Sequence, residues 1–198
     1  MFSNVVLGTL RVGVTTMSFE SLGLLPELVR ALSDKGYTEA TAIQSQAIPL
    51  ILNGEDVLGG AQTGTGKTAA FALPVLQRLI EHPNAKTKGP RVLILVPTRE
   101  LAVQVHTSIR EYAKHIRIRS AVMYGGASMN PQMIAVGRGL DILVATPGRL
   151  MDHMERGTVQ LHKVETLILD EADRMLDMGF LPAIKKILNQ VPKQRQTL

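Results

Sequence analysis

The sequence predicts an α/β domain with a central, mostly parallel sheet flanked by helices on both faces. Three observations lead there. Residues 91–96, 141–145 and 165–169 each hold a short apolar run behind a charged first residue, as expected of parallel strands buried on both faces. Segments with apolar residues at helical spacing lie between them, and strands alternating with helices build parallel sheets. Each run also stops at glycine, proline, threonine or a carboxylate, which end strands and open loops or helices. Ligands of such sheets bind beyond the C-terminal strand ends, so these clusters are the candidate functional residues.

Taken in order, residues 1–16 are weakly apolar, interrupted by Arg11 and not preceded by a basic stretch. They suit neither a membrane span nor a signal peptide and read as a mobile N-terminal extension, with the domain proper at 17–198. Residues 19–36 carry Leu22, Leu25, Leu28, Val29 and Leu32 at helical spacing, with Pro26 suited to a first turn and Gly36 to a stop. A second helix follows Thr41, runs through Ile51 and ends at Asn53-Gly54. Thr41-x-x-Gln44 has the form of a capping box, in which the glutamine bonds back to the helix start. A strand at 56–59 then leads through a glycine loop into a helix from Lys67 to about Ile80, and residues 83–90 form a polar loop. After the strand at 91–96, Thr98 can cap a helix running towards Lys114. A strand at about 119–124 ends at Gly125-Gly126 and is followed by a helix near 131–136. The strand at 141–145 runs into Thr146-Pro147, read as N-cap and first helical residue. The strand at 165–169 ends in Asp170-Glu171, a helix spans about 181–190, and Gln196-Thr197-Leu198 opens one more strand.

Composition narrows the function. With 198 residues, 45% hydrophobic and 20% charged, the chain can bury a full core. The absence of cysteine excludes disulfides, thiolate metal sites and a cysteine nucleophile, and the five histidines form no close ligand pairs. The net charge of +5, without a basic run, is compatible with a polyanion bound on a surface assembled by folding. Aromatics at 4% argue against a base-stacking platform and for backbone-phosphate contacts.

The stretch Ala61-Gln62-Thr63-Gly64-Thr65-Gly66-Lys67-Thr68 lies between a strand and a helix N-terminus, as nucleoside-triphosphate phosphates require. Loop N–H groups surround the phosphates, Lys67 reaches the β- and γ-phosphates, and the Thr68 hydroxyl can ligate Mg²⁺. The general pattern has glycine where this chain has Ala61. Asp170, leaving a buried strand, is suited to hold Mg²⁺ directly or through water. Glu171 is suited to orient and deprotonate an attacking water. Arg99 and Arg149, beside Thr98 and Thr146, together with Gly125 and Gly126, suggest a track for a nucleic-acid backbone that reads no base sequence.

Ala61 to Thr68, Pro97-Thr98-Arg99-Glu100-Leu101-Ala102, Thr146-Pro147-Gly148-Arg149 and Asp170-Glu171-Ala172-Asp173 resemble, in order and spacing, the motif series of DEAD-box RNA helicases. The wording around them resembles bacterial members of the RhlE kind. The resemblance covers about 180 residues and implies the first RecA-like domain of that family, in which Ala is usual at position 61. It implies ATP and Mg²⁺ as cofactors, RNA as partner and the cytoplasm as location, with no membrane and a monomeric state. Phe19, Tyr37 and Gln44 fall where the family's Q motif lies, so that Gln44 reads adenine and Tyr37 packs near the base. Pro97, Thr98, Arg99, Gly125, Gly126, Thr146, Pro147, Gly148 and Arg149 become RNA-backbone contacts. The chain departs from the family at Ala40, where Pro is common, which implies a less rigid entry to the adenine site. It stops before the family's Ser-Ala-Thr motif and lacks the second RecA-like domain with its arginine finger. The expectation is therefore ATP–Mg²⁺ and partial RNA binding with little hydrolysis and no unwinding. The alternative is a non-catalytic nucleotide- or RNA-binding module acting through protein partners. The sequence contains no Asn-Lys-x-Asp base reader, Leu-Ser-Gly-Gly-Gln signature or kinase His-Arg-Asp and Asp-Phe-Gly strings.

Overall fold

The computed structural model describes residues 17–60, 64–83 and 89–198, and the backbone of 4–7. Ala61, Gln62 and Thr63, most of the polar loop at 83–90, and the remainder of 1–16 lie outside the described residues. The first half of the chain forms β1 (Asn4–Leu7), β2 (Met17–Ser18), α1 (Pro26–Asp34), β3 (Glu39–Ala40), α2 (Ala42–Leu52), β4 (Asp56–Gly59) and α3 (Lys67–Glu81). Then come β5 (Val92–Leu95), α4 (Arg99–Tyr112), β6 (Ser120–Met123), α5 (Met129–Gly137), β7 (Ile142–Ala145) and α6 (Pro147–Glu155). The last elements are β8 (Thr166–Leu169), α7 (Ala172–Asp177), α8 (Leu181–Leu188) and β9 (Gln196–Thr197). They fall into two compact units, one of Met1–Pro83, Ser108–Arg117 and Gln196–Leu198, the other of Asn84–Thr107 and Ile118–Arg195.

In the first unit α2 packs against α3 and β4. The helix expected over 19–36 is divided: a 3-10 turn at Glu20–Leu22 ends at Gly23, whose φ of 79° breaks the run before Pro26 starts α1. Within the segment expected to be an extension, Asn4–Leu7 pairs in parallel with β4, Asn4 opposite Asp56 and Leu7 opposite Gly59. Ala40 lies in β3, antiparallel to β2, and is buried. Gln196 donates from Nε2 to the carbonyls of Ile51 (3.1 Å) and Glu55 (2.7 Å), and the Thr197 N–H donates to Asp56 Oδ1 (2.7 Å).

The second unit contains four parallel strands in the order β6-β7-β5-β8. The chain moves one way from β5 to β6 and the other way from β6 through β7 to β8. Right-handed crossovers then lie on opposite faces of the sheet. Burial agrees. Leu93, Leu95, Ala121, Met123, Leu143, Ala145 and Leu167 share a core with Val136, Leu150, Met175, Ile184 and Ile187 of the later helices. The alternate residues Val92, Ile94, Ile142, Val144 and Ile168 are equally buried, so both faces are covered. The register sets Met123 opposite Ala145, and Leu95 opposite both Ala145 and Leu169. All four C-terminal ends therefore lie along one edge. At the opposite end, the buried Arg91 guanidinium makes a two-pronged pair with Glu165, at 2.9 and 2.8 Å.

One element was not anticipated. The short α7 begins immediately after Asp170-Glu171, where the sequence offered favourable acidic residues but too few positions to establish a period.

Candidate functional site

In the first unit, α3 starts at Lys67 with Gly66 as N-cap at φ 88° and no side-chain capping bond. Gly64 also has positive φ, at 87°. Glycine occupies this region without steric cost, whereas other L-residues lose about 1–2 kcal/mol. The helix therefore opens with N–H donors that no N-cap side chain satisfies, and the dipole adds partial positive charge. Lys67 and Thr68 are half-buried, and among the described residues no carboxylate forms an ion pair with Lys67. Such a terminus fits an anionic ligand.

This loop is held from behind. The Thr41 N–H donates to Gln44 Oε1 at 2.9 Å, the glutamine half of the predicted capping box. The Gln44 amide also donates to the Gly66 carbonyl at 3.2 Å, and the Thr41 hydroxyl donates to the Thr65 carbonyl at 2.9 Å. Thr41 was expected only as a cap; its bond to the glycine loop had no signature in local sequence. Gln44 is 4% exposed, and a Cβ on Gly66 would overlap its amide. An amide has two donor hydrogens and two acceptor lone pairs, so one of each remains for a further partner. Capping and base reading are thus compatible in one side chain.

Tyr37 is 43% exposed, with Lys35 Nζ over its ring 5.9 Å from the centroid. Burial pushes the nearby Tyr112 phenol up to about 12, with Tyr37 and Glu111 adding to the shift. Phe19 is only 3% exposed and belongs to the core of this unit. Ala61, Gln62 and Thr63 lie outside the described residues.

The second unit brings Pro97, Thr98 and Arg99, Gly125 and Gly126, Thr146 to Arg149, and Asp170 and Glu171 to the same sheet edge. Thr98 caps α4 as predicted, its hydroxyl accepting the Leu101 N–H at 3.2 Å. Thr146 differs. It is the N-cap of α6 but makes no side-chain capping bond. Pro147 at the first helical position already has the required φ and no N–H to satisfy, so the hydroxyl remains outside the cap. The Arg99 guanidinium stacks on the Tyr124 ring at 4.9 Å. Arg149 Nη1 donates to the Ala127 carbonyl at 2.9 Å, and Arg149 Nε lies 3.5 Å from Asp152 Oδ2. Both arginines therefore grip the loop containing Gly125 and Gly126, where Gly126 has φ 74°.

The Asp170 N–H donates to the Leu95 carbonyl at 3.0 Å, extending the sheet ladder to the carboxylate pair. Glu171 has φ 52° and ψ 49°; among the described residues it is the one non-glycine with positive φ. Strained backbone of this kind persists where the surroundings over-determine it and clusters at functional sites. Arg174 Nη1 pairs with Glu171 Oε2 at 3.1 Å, a partner not anticipated from sequence. A cavity of about 760 Å³ elsewhere in this unit is lined by Met151, Met154, Leu161 and Lys186 among others. It includes none of the predicted site residues.

The same architecture occurs among known proteins. The chain is 48% identical over 181 residues to the ATP-dependent RNA helicase DeaD of Escherichia coli (strain K12), covering 91% of this chain and 28% of that protein. It is 48% identical over 183 residues to the ATP-dependent RNA helicase CshA of Limosilactobacillus reuteri, covering 92% and 36% respectively. The chain therefore spans about a third or less of the length of these relatives. The crystal structure of a DEAD box protein from the hyperthermophile Methanococcus jannaschii matches with a TM-score of 0.84 and 41% identity, covering 92% of this chain and 49% of that one. The family model of the DEAD/DEAH box helicases matches residues 41–198, and the chain belongs to that family.

Proposed function

We propose that these residues are the ATP–Mg²⁺-binding domain of an ATP-dependent RNA helicase, which also grips part of the RNA backbone. The observation that supports this most directly is the tie of Gln44 and Thr41 to the Gly66 and Thr65 carbonyls, which joins an adenine-reading amide to a phosphate loop. The loop and the N-terminus of α3 receive the phosphates, with Lys67 at the β- and γ-phosphates. Thr68 would ligate Mg²⁺, which would neutralise charge on the phosphoryl group; in the second unit, Asp170 is suited to hold a metal directly or through water and Glu171 to orient and deprotonate a water. Gln44 recognises adenine and Tyr37 packs near the base. Thr98, Arg99, Gly125, Gly126, Thr146, Gly148 and Arg149 seat RNA phosphates without reading sequence. Hydrolysis and unwinding would draw on a second RecA-like domain, as the family resemblance implies. An arginine finger contributes about 10³–10⁵ in related phosphoryl transfers.

The test is ATP against GTP binding by this chain, with ATPase activity measured with and without RNA. Lys67→Ala is expected to abolish ATP binding, and Gln44→Ala to remove the preference for adenine. RNA-stimulated turnover at rates typical of intact helicases would refute the division of labour. Equal affinity for ATP and GTP would refute the adenine reader.

A further inference from the structure

His153 and Gln132 play no part in the functions assigned above, yet they form a buried polar chain directly behind the Gly125–Gly126 loop. His153 is 0% exposed on α6, and Gln132 on α5 is also buried. His153 Nδ1 lies 2.8 Å from Thr158 Oγ1, and Nε2 lies 3.3 Å from Gln132 Oε1. The Gln132 amide donates to the carbonyls of Tyr124 (3.3 Å) and Ser128 (3.2 Å), which bracket the loop.

Carbonyls only accept, so they orient the whole chain. Gln132 must present Nε2 to the loop and Oε1 to the histidine. His153 must then carry its proton on Nε2, leaving Nδ1 to accept from the Thr158 hydroxyl. The Thr158 hydroxyl has two acceptors within reach, the His153 carbonyl at 3.0 Å and Nδ1 at 2.8 Å; the carbonyl also accepts the Thr158 N–H at 3.0 Å, so it keeps a partner when the hydroxyl proton goes to the ring. In this arrangement His153 is neutral and both ring nitrogens are used. Burial lowers its pKa from the usual 6.5, and the Arg149 charge acts in the same direction.

Together with Arg149 at the Ala127 carbonyl, this chain engages three carbonyls between residues 124 and 128. The loop is tied down through its acceptors. A Cβ at Gly125 would meet nothing within 4 Å and one at Gly126 would meet Arg99 Nη1 at 3.9 Å, and successive N–H groups around a positive-φ glycine suit a phosphate oxygen.

We propose that His153 is a positioning residue for RNA: through Gln132 it holds the Tyr124–Ser128 loop in its phosphate-binding shape. The inference rests on the RNA-backbone reading above. It requires that changing His153, which lies behind the loop, weakens RNA binding while ATP binding is retained.

The experiment compares the 198-residue chain with His153→Leu and His153→Gln variants. It measures amide hydrogen exchange at Gly125–Ser128, affinity for a single-stranded uridine homopolymer, and affinity for ATP. His153→Leu is expected to speed exchange at those amides and weaken RNA binding roughly three- to tenfold, with ATP affinity unchanged. His153→Gln keeps a donor and an acceptor and is expected to recover both effects. Should His153→Leu fail to fold, Thr158→Val cuts the chain at its far end and is expected to loosen the same amides to a smaller degree. Unchanged exchange and RNA affinity in the leucine variant, or in Thr158→Val if that replaces it, would overturn the proposal. So would failure of the glutamine variant to recover. If the unmodified chain binds no RNA, the RNA reading itself fails and takes this inference with it.

Discussion

Two glycine loops in this chain are each restrained by a buried glutamine, but by different means. In the first unit Gln44 sits three residues from Thr41, on the same helix start, and the pair reaches the Thr65 and Gly66 carbonyls directly. In the second, Gln132 reaches the Tyr124 and Ser128 carbonyls but is itself oriented by His153, a residue 21 positions away on another helix. The contrast shows that a glycine loop can be held in shape through its carbonyls. It also shows that such a restraint can be built from neighbouring residues or assembled through the core. The first restraint contains no titratable group. The second contains one.

The largest effect is expected where conformation and contact coincide. Gly66→Ala forces a side chain into φ 88° and against the Gln44 amide. A loss of about 3 kcal/mol, or roughly a hundredfold in ATP affinity, should appear in nucleotide titration. Next is Gln132→Glu, which turns an oxygen towards the Tyr124 and Ser128 carbonyls in place of the amide hydrogens. A destabilisation of about 2 kcal/mol is expected in urea unfolding, with fast exchange confined to the second loop. Equal loosening of both loops would break the distinction between them.

Acidification sharpens the contrast further. His153 has a folded-state pKa below its ordinary value, chiefly through burial and then through Arg149, with Arg156 lowering it and Asp152 opposing. The unfolded chain therefore binds the proton more readily, and stability rises with pH across this range. The histidine's contribution is present above about pH 6.5 and is lost as pH falls below it. Amide exchange at Gly125–Ser128 should accelerate in that window more than at Gly64 and Gly66. The smallest effect concerns Glu171. In the first unit positive φ occurs only at glycines among the described residues, but here a glutamate adopts it. Glu171→Gly should raise the unfolding free energy by a few tenths to about 1 kcal/mol, the released strain being partly offset by the flexibility of glycine. Calorimetry would detect it.

Much of this was legible in the sequence because the signals were local. The runs at 92–95 and 142–145 are uniformly apolar because both faces of the sheet are covered, and Pro26, Pro147 and Gly54 mark turns and helix ends by their fixed or unusual φ. Thr41-x-x-Gln44 announces its own bond. What escaped depended on tertiary placement. Nothing in the wording around Glu171 signals a left-handed backbone, since glutamate adopts it only under constraint from the surrounding fold. The His153–Gln132 contact joins two helices whose spacing is set by the sheet between them in the chain. Four residues at 4–7 were too short a run to separate a strand from a weakly apolar tail.

The direction imposed on the His153 chain has a spectroscopic consequence. A histidine locked with Nε2 protonated and Nδ1 accepting should give two well-separated ¹⁵N resonances, free of tautomer averaging. The His153 ring is engaged at both nitrogens, by Thr158 and by Gln132. Any ligand that pulls the Tyr124–Ser128 carbonyls away from Gln132 would weaken the Nε2–H bond behind them. The buried imidazole is thus an internal reporter of loop strain, readable without a label at the binding surface.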